Sequence, residues 1–472
     1  MNETVLNAGI LKELSQTNAQ THFEGIPAKI VVLDDDPTGV QTVNGVNVYT
    51  DWTEQSILEG FKENSRMFYI LTNSRSFTAK HTKEVHEQIG RRVCEAAQKT
   101  GKDFLIISRG DSTLRGHYPL ETQILKETVE KYSNKRISGE IICPFFPEGG
   151  RYTIGNVHYV KDGGKLYPAG QTEFAKDKTF GYVSSHLGEY CEEKTGGAYR
   201  TDKMIYIPLD MLKAGDADGV ESLLMGAQDF NKVIVNAVCY KDIEVFAQGL
   251  KQAMNRGRNF MLRTAAALPK VLGKVEDIPL LTRKDMVGEN TQNGGVIIVG
   301  SHVKKTTNQL ELMRKSLPMI DFIEFDASLV KVFGGLETEA NRITERVCAD
   351  IRRGVTAAVY TSRKVLDFGG DKEGALMASV KISDALTSIV SKLTVQPSFI
   401  VAKGGITSSD VGTKGLGVKK ANVLGQSAPG IPVWQTGQES KFPGLPYVIF
   451  PGNVGEVTTL RDVVATLMGV EL

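Results

Sequence analysis

The chain has 472 residues, 41% hydrophobic and 24% charged, which is a globular composition too long for one ordinary core. Its 56 basic side chains nearly cancel 55 acidic ones, so the bulk charge argues against nucleic acid or another polyanion as partner. Apolar runs stop at about six residues, against the roughly 20 that a membrane helix needs.

The first twenty residues, MNETVLNAGILKELSQTNAQ, show no basic region followed by an apolar stretch, so no signal peptide is expected. The five cysteines (Cys94, Cys143, Cys191, Cys239 and Cys348) are scattered and never form a CxxC pair. That pattern argues against a disulfide framework or a zinc site and fits a reducing, cytoplasmic setting.

One event then recurs along the chain: a short apolar run, a polar or glycine-rich cluster, and helical spacing. Lys29–Leu33 leads into DDDPTG, Met67–Leu71 into TNSRS, Phe104–Ile107 into SRGDSTLRG, and Glu140–Ile142 into CPFFPEGGR. Val85, Ile89 and Val93 predict an amphipathic helix behind an N-cap at Thr78, and Leu120, Ile124 and Val129 predict another with Pro119 at its start. Between about 265 and 293 the periodicity fades. Beyond it, Val296–Val299 leads into GSHVKKTT, Ala357–Tyr360 into TSRK, Phe399–Val401 into AKGGITSSD, and Tyr447–Phe450 into PGNVG. Continuous Val/Ile/Leu runs suit strands buried on both faces, and their alternation with helices implies doubly wound, largely parallel α/β sheets. The expected domains are 1–275 and 294–472, joined by a linker at 276–293. In such sheets ligands gather beyond the carboxyl ends of the strands, where this chain repeatedly places Asp, Arg, Asn, Ser and Gly.

Three adjacent carboxylates, Asp34, Asp35 and Asp36, repel one another, and a fold tolerates them only where water, cations or donors satisfy them. They suit a general base toward a hydroxyl or a metal contact, and equally a solvated Asx turn. The run from Arg109 to Gly116 is sharper. Helix capping would account for Asp111 and Ser112 but not for Arg109 and Arg115, which can clamp a carboxylate or phosphate. Asn73, Arg75, Ser76 and Arg151 extend the same candidate group, although a single arginine at a strand end is often a surface ion pair.

In the second half Gly404, Gly405, Ile406, Thr407, Ser408 and Ser409 follow one strand, Ser301 another, and Pro451, Gly452, Asn453, Val454 and Gly455 a third. Glycines let backbone approach phosphates, and three such loops in one domain suggest a nucleotide cradle. There is no GxxxxGK[ST] and no complete GxGxxG after a strand, which argues against a P-loop protein or a nicotinamide-dependent dehydrogenase. The seven histidines show no HExxH or similar ligand spacing, and His117 and His302 are the two in candidate loops.

At these residues the chain resembles the four-carbon acid sugar kinase family, whose members phosphorylate tetronates with ATP. The resemblance runs from about Lys29 to Leu460. It rests on Asp35-Asp36-Pro37-Thr38-Gly39, Asn73-Ser74-Arg75-Ser76, Asp111-Ser112-Thr113-Leu114-Arg115-Gly116, Gly150-Arg151, Thr172-Glu173-Phe174-Ala175 with Asp177, Gly300-Ser301, Gly404-Gly405 with Thr407, and Pro429-Gly430-Ile431-Pro432. The family usually has an aromatic where Pro37 stands, an acidic residue where Ile406 stands, and a lysine in the last glycine loop, so the chain looks like a divergent DDDPTG subgroup.

The resemblance implies an N-terminal domain for the sugar acid, a C-terminal domain for ATP, and an active site in the cleft between them. It places Asp35, Asp36, Asn73, Arg75, Asp111 and Arg115 on the substrate side, and Ser301, Gly404, Gly405, Ile406, Thr407 and Gly452 on the nucleotide. The expected catalytic acids are Asp35, Asp36 and Asp111. Asn73, Arg75, Ser112, Arg115 and Arg151 are the expected substrate contacts, and Asn453 joins the nucleotide contacts. ATP with Mg²⁺ is the expected cofactor, a small sugar acid the partner, and a homodimer the assembly left open. The alternative is a nucleotide- or metabolite-binding regulator that keeps the fold without turnover.

Overall fold

The computed structural model describes residues 3–17, 19–288, 292–363, 372–452 and 454–472. The chain divides into two compact units. The first comprises Met1–Thr42 and Asp51–Glu276, the second Val43–Thr50 and Asp277–Leu472.

The first unit is built on seven parallel strands in the order Ile205–Ile207, Asn231–Val235, Ile137–Cys143, Asn259–Thr264, Phe104–Arg109, Lys29–Asp34, Met67–Leu71. Lys29–Asp34, Met67–Leu71 and Phe104–Arg109 are buried at every position, as their unbroken apolar runs predict. Register aligns their carboxyl ends: Asp34 lies opposite Leu71 and Arg109, and Arg109 opposite Thr264. The helix Ala79–Thr100 starts at Thr78, whose hydroxyl accepts from the His81 amide, and it buries Val85, Ile89 and Val93. A Cβ on its Gly90 would come 3.0 Å from Thr128 Cγ2, so this glycine sets the close approach to the helix Leu120–Tyr132.

A separate antiparallel sheet, in the order Leu6–Asn7, Lys165–Pro168, Val157–Asp162, Arg151–Ile154, has no counterpart in the strand–cluster pattern. Its two-residue hairpin loops, Gly155-Asn156 and Gly163-Gly164, have positive φ at both positions, the conformation whose twist suits flanking strands.

The second unit's sheet runs Val46–Tyr49, Lys420–Ala428, Ile431–Thr436, Pro446–Phe450, Ile400–Lys403, Val296–Val299, Ala357–Thr361, Asp321–Phe325. Pairing is antiparallel as far as Pro446–Phe450 and parallel from there to the other edge. Residues 276–293, expected as a linker, hold the helix Arg283–Met286, and Leu281 and Met286 are buried in this unit's core beside Leu460 and Val464. The apolar positions among the segment's Pro and charges give it a packing face. Among the described residues no helix is long and apolar enough to cross a membrane.

Candidate functional site

The three consecutive aspartates diverge. Asp34, the last residue of its strand, is buried and accepts from Arg109 Nη1 at 3.2 Å. A Cβ on Gly39 would lie 1.8 Å from an Asp34 carboxylate oxygen, so the turn after Pro37 needs glycine to close over that carboxylate. Burial pushes Asp34 up to about 7 against the pull of Arg109. Asp35 sits in the fork of Arg75, 2.7 Å from Nη2 and 3.3 Å from Nε. Asp36 accepts from the Thr38 amide at 2.8 Å and the Thr38 hydroxyl at 2.5 Å, with Arg75 Nη1 3.4 Å away. Burial opposes ionisation of Asp36, but Arg75 and the Thr38 donors outweigh it and hold the carboxyl below its ordinary range. Repulsion among the triplet is thus relieved by two arginines and a turn. Among the described residues no group of three or more His, Cys, Asp or Glu side chains fits a metal ion.

The second element is the loop after Phe104–Arg109. Asp111 accepts from Arg115 Nε at 2.7 Å and from the Thr113 hydroxyl. Burial would raise its pKa, yet Arg75, Arg115 and Thr113 keep it well below the usual carboxylate range. Arg115 also lies 3.9 Å from Asp177 and 5.1 Å from the centre of the Phe174 ring. Arg151 lies 5.6 Å from the same ring centre, and its buried Nε has no hydrogen-bond partner among the described residues. Burial lowers the Arg151 pKa and Arg115 adds repulsion, with Asp111 the attracting charge.

Three side chains hold the loop from behind. Tyr182 donates to the Thr113 carbonyl at 2.8 Å, Tyr190 to the Leu114 carbonyl at 2.9 Å, and His158 Nε2 to the Ser112 carbonyl at 2.8 Å. Burial lowers His158 to about 4, so the ring is neutral. Asn73, at φ 55°, starts the turn that presents Arg75, and its amide donates to the Asp34 carbonyl at 3.3 Å. The first unit therefore gathers Asp35, Asp36, Arg75, Asp111 and Arg115 around shared charges, with Asn73 and Ser112 in the supporting backbone and Arg151 beside Phe174.

Sequence reasoning missed the ion pair beneath this cluster. Arg263 donates to Glu121 Oε2 at 2.6 Å and to Ser108 Oγ at 2.9 Å, both partners buried. A Cβ on Gly110 would come 2.3 Å from this guanidinium and one on Gly116, at φ 129°, 2.7 Å from it. The two glycines that bracket DSTLR thus make room for Arg263. Glu121 in turn accepts from Ser74 at 2.6 Å, tying the Arg75 turn to the Arg115 loop. Two glycines six residues apart around an acid–arginine pair were the available signal for something passing between them.

In the second unit the amides of Gly300 and Ser301 reach the Lys403 carbonyl at 3.2 and 3.3 Å, and that of Gly404 reaches the Phe450 carbonyl at 2.9 Å. Gly404 has φ 126°, and a Cβ there would lie 3.3 Å from the Ser301 nitrogen. Thr306 Oγ1 bonds both Ser301 Oγ and the Gly452 carbonyl at 3.0 Å. A Cβ on Gly300 would come 2.2 Å from Thr407 Oγ1, so Thr407 packs under the same loop. Ser301, Gly404, Thr407 and Gly452 are therefore brought together. Gly405 faces open space, Ile406 is 71% exposed beside it, and Asn453 lies outside the described residues. Lys403, the last residue of its strand, was not singled out from the sequence. It is fully buried and donates to the carbonyls of Pro451 at 2.6 Å and Gly452 at 3.2 Å.

Residues 30–272 match the model of a sugar-binding N-terminal domain, and residues 296–460 that of a nucleotide-binding C-terminal domain. A solved structure from Salmonella typhimurium LT2, which carries a provisional tRNA synthase name, is similar over 92% of this chain and 98% of its own, at 16% identity and a TM-score of 0.68. A Haemophilus influenzae protein is similar over 93% of this chain and all of its own, at 17% identity and a TM-score of 0.62. At such identities these likenesses establish the fold alone. No curated protein matches the sequence. Fold and site define a two-domain α/β protein that pairs a sugar-binding with a nucleotide-binding unit. The chain belongs to the family defined by that sugar-binding N-terminal domain, and the pairing fits the four-carbon acid sugar kinases.

Proposed function

We propose that the protein is an ATP-dependent kinase that phosphorylates a hydroxyl of a four-carbon or similar sugar acid, within a divergent DDDPTG subgroup of that family. The observation that carries this reading is the pair Arg115 and Arg151 beside one Phe174 ring, with Asp111 as their shared counter-charge and Arg151 Nε buried without a partner among the described residues. Two guanidinium groups held together repel unless anions offset them, and with Asp111 and Asp177 facing Arg115 and the Gly149 carbonyl taking Arg151 Nη1, Arg151 Nε is still left over. A substrate carboxylate would complete the set. Arg75, already engaged by Asp35 and Asp36, is better suited to holding those acids than to binding substrate.

On this reading Asp35 accepts a hydrogen bond from the substrate hydroxyl and takes its proton as the phosphoryl group transfers. Phosphoryl transfer asks mainly for positioning and charge neutralisation, so the first task of this carboxylate is to orient the hydroxyl. Ser301, Gly404, Thr407 and Gly452 would meet the nucleotide, with Gly405 and Ile406 beside them. Mg²⁺ would accompany the phosphates of ATP and neutralise their charge. The test is ADP release against a panel of sugar acids with ATP and Mg²⁺. Acid-dependent release supports the kinase. Silence across the panel, with ATP binding intact, favours a binding protein that keeps the fold without turnover.

A further inference from the structure

We infer that Lys403 is a phosphate-binding cation of the second unit, supplying the buried positive charge for the polyphosphate of a nucleoside di- or triphosphate laid on the Ser301, Gly404 and Gly452 loops. The inference rests on the nucleotide-binding reading above and adds the residue on which phosphate recognition depends.

Lys403 is 0% exposed, and its ammonium contacts two backbone carbonyls and the face of Phe450, 4.0 Å from the ring centre. An ammonium has three donors, and two are used among the described residues. Among the described residues no carboxylate pairs with it. The charged neighbour that acts on it is Lys305, a second cation, and burial together with Lys305 lowers Lys403 to about 7. A buried charge without a counter-ion is costly, and folds normally pair such groups. The other buried lysine of comparable depth, Lys232, follows that rule, with Glu140 at 2.6 Å.

Lys403 is built into the backbone web that joins these loops. Its own carbonyl receives the Gly300 and Ser301 amides. The Gly452 carbonyl that it binds is shared with Thr306, which also holds Ser301. On the far side Arg363 donates to the Ser301 carbonyl, while its Nε and Nη2 are buried without partners among the described residues. Arg363 and Lys403 thus both bond this serine–glycine surface, and Lys305 lies near enough to Lys403 to act on it. Bound phosphates would provide the missing negative charge.

The experiment is calorimetric binding of ATP, ADP and AMP to the full-length wild type, Lys403→Met and Lys403→Gln, with thermal melting of each ligand-free protein. Methionine fills the same space without charge, and glutamine keeps N–H donors for the Pro451 and Gly452 carbonyls. Both variants are expected to lose roughly 30- to 100-fold in ATP and ADP affinity, the scale for removing one partner of a buried charge pair, and clearly less for AMP. Ligand-free Lys403→Met is expected to melt no lower than wild type, because a costly buried charge is gone. Wild-type affinity for ATP in either folded variant would overturn the inference, as would an equal loss for all three nucleotides. Failure of Lys403→Gln to fold would also overturn it, by making the residue a structural clamp. A wild type that binds none of the nucleotides would overturn the nucleotide-binding reading itself.

Discussion

Replacing Arg263 by methionine removes the cation of the buried pair beneath the site while leaving its stem volume in place. Arg263 Nη1 lies 2.6 Å from Glu121 Oε2, and both side chains are largely buried. Without Arg263 the Glu121 carboxylate keeps the Ser74 hydroxyl and His86 Nε2 at 3.7 Å, a ring whose pKa burial lowers and which therefore offers little charge. Breaking such a pair from one side costs about 3–5 kcal/mol, because the remaining charge stays in a low-dielectric site. For a domain of this size that is a drop in melting temperature of roughly 6–20 °C. The double variant Arg263→Met/Glu121→Gln removes both charges and should recover most of the loss, since apolar replacements of whole buried pairs are often near neutral. Urea unfolding at neutral pH, read on wild type, both single variants and the double, gives the coupling. A loss below about 1 kcal/mol in the single variant, or a double no better than Arg263→Met, would refute the argument that the pair stabilises as a charge pair.

Two further perturbations follow from the same geometry. Asp35→Asn should lower turnover by roughly 10²–10⁴-fold while leaving ATP affinity unchanged, the usual size of a general-base effect, and steady-state kinetics read the two separately. His158 is depressed by burial to about 4 from 6.5, so its stabilising contribution is complete above pH 6.5 and is lost as pH falls toward 4, by about 3 kcal/mol. His86, His186 and His302 are also depressed, while Asp34 is raised and acts with the opposite sign over part of this window. The difference in slope between wild type and His158→Gln in urea titrations across that range is therefore the relevant quantity, and parallel slopes would contradict it.

Much of the architecture was legible because buried parallel strands write themselves as unbroken apolar runs. Lys29–Leu33, Met67–Leu71, Phe104–Ile107 and Val296–Val299 all appear as strands within a residue or two of the runs read. The capping of Ala79–Thr100 by Thr78 was equally local. Pairings distant in sequence were not legible. Val43–Thr50 clusters with the second unit, where Val46–Tyr49 pairs with Lys420–Ala428, some 370 residues away. The candidate acids and arginines were visible as residue types, yet which carboxylate meets which guanidinium depends on strand register. Asp34, Arg109 and Thr264 align only in the folded sheet, and that alignment brings Arg263 beneath Gly110 and Gly116. Lys403 escaped notice for a related reason. A lysine at a strand end reads as a solvated charge until the loop at Pro451 and Gly452 closes over it.

The proposed reaction passes a phosphoryl group from ATP to a sugar acid bound near Arg115 and Arg151. Phosphorus NMR of ATP, Mg²⁺ and a tetronate panel tests it most directly, with wild type beside Arg115→Ala. A new phosphate monoester signal growing in step with ADP for one acid, and absent with Arg115→Ala, is the predicted result. ADP appearing with inorganic phosphate alone, or a monoester formed equally well by Arg115→Ala, would contradict it.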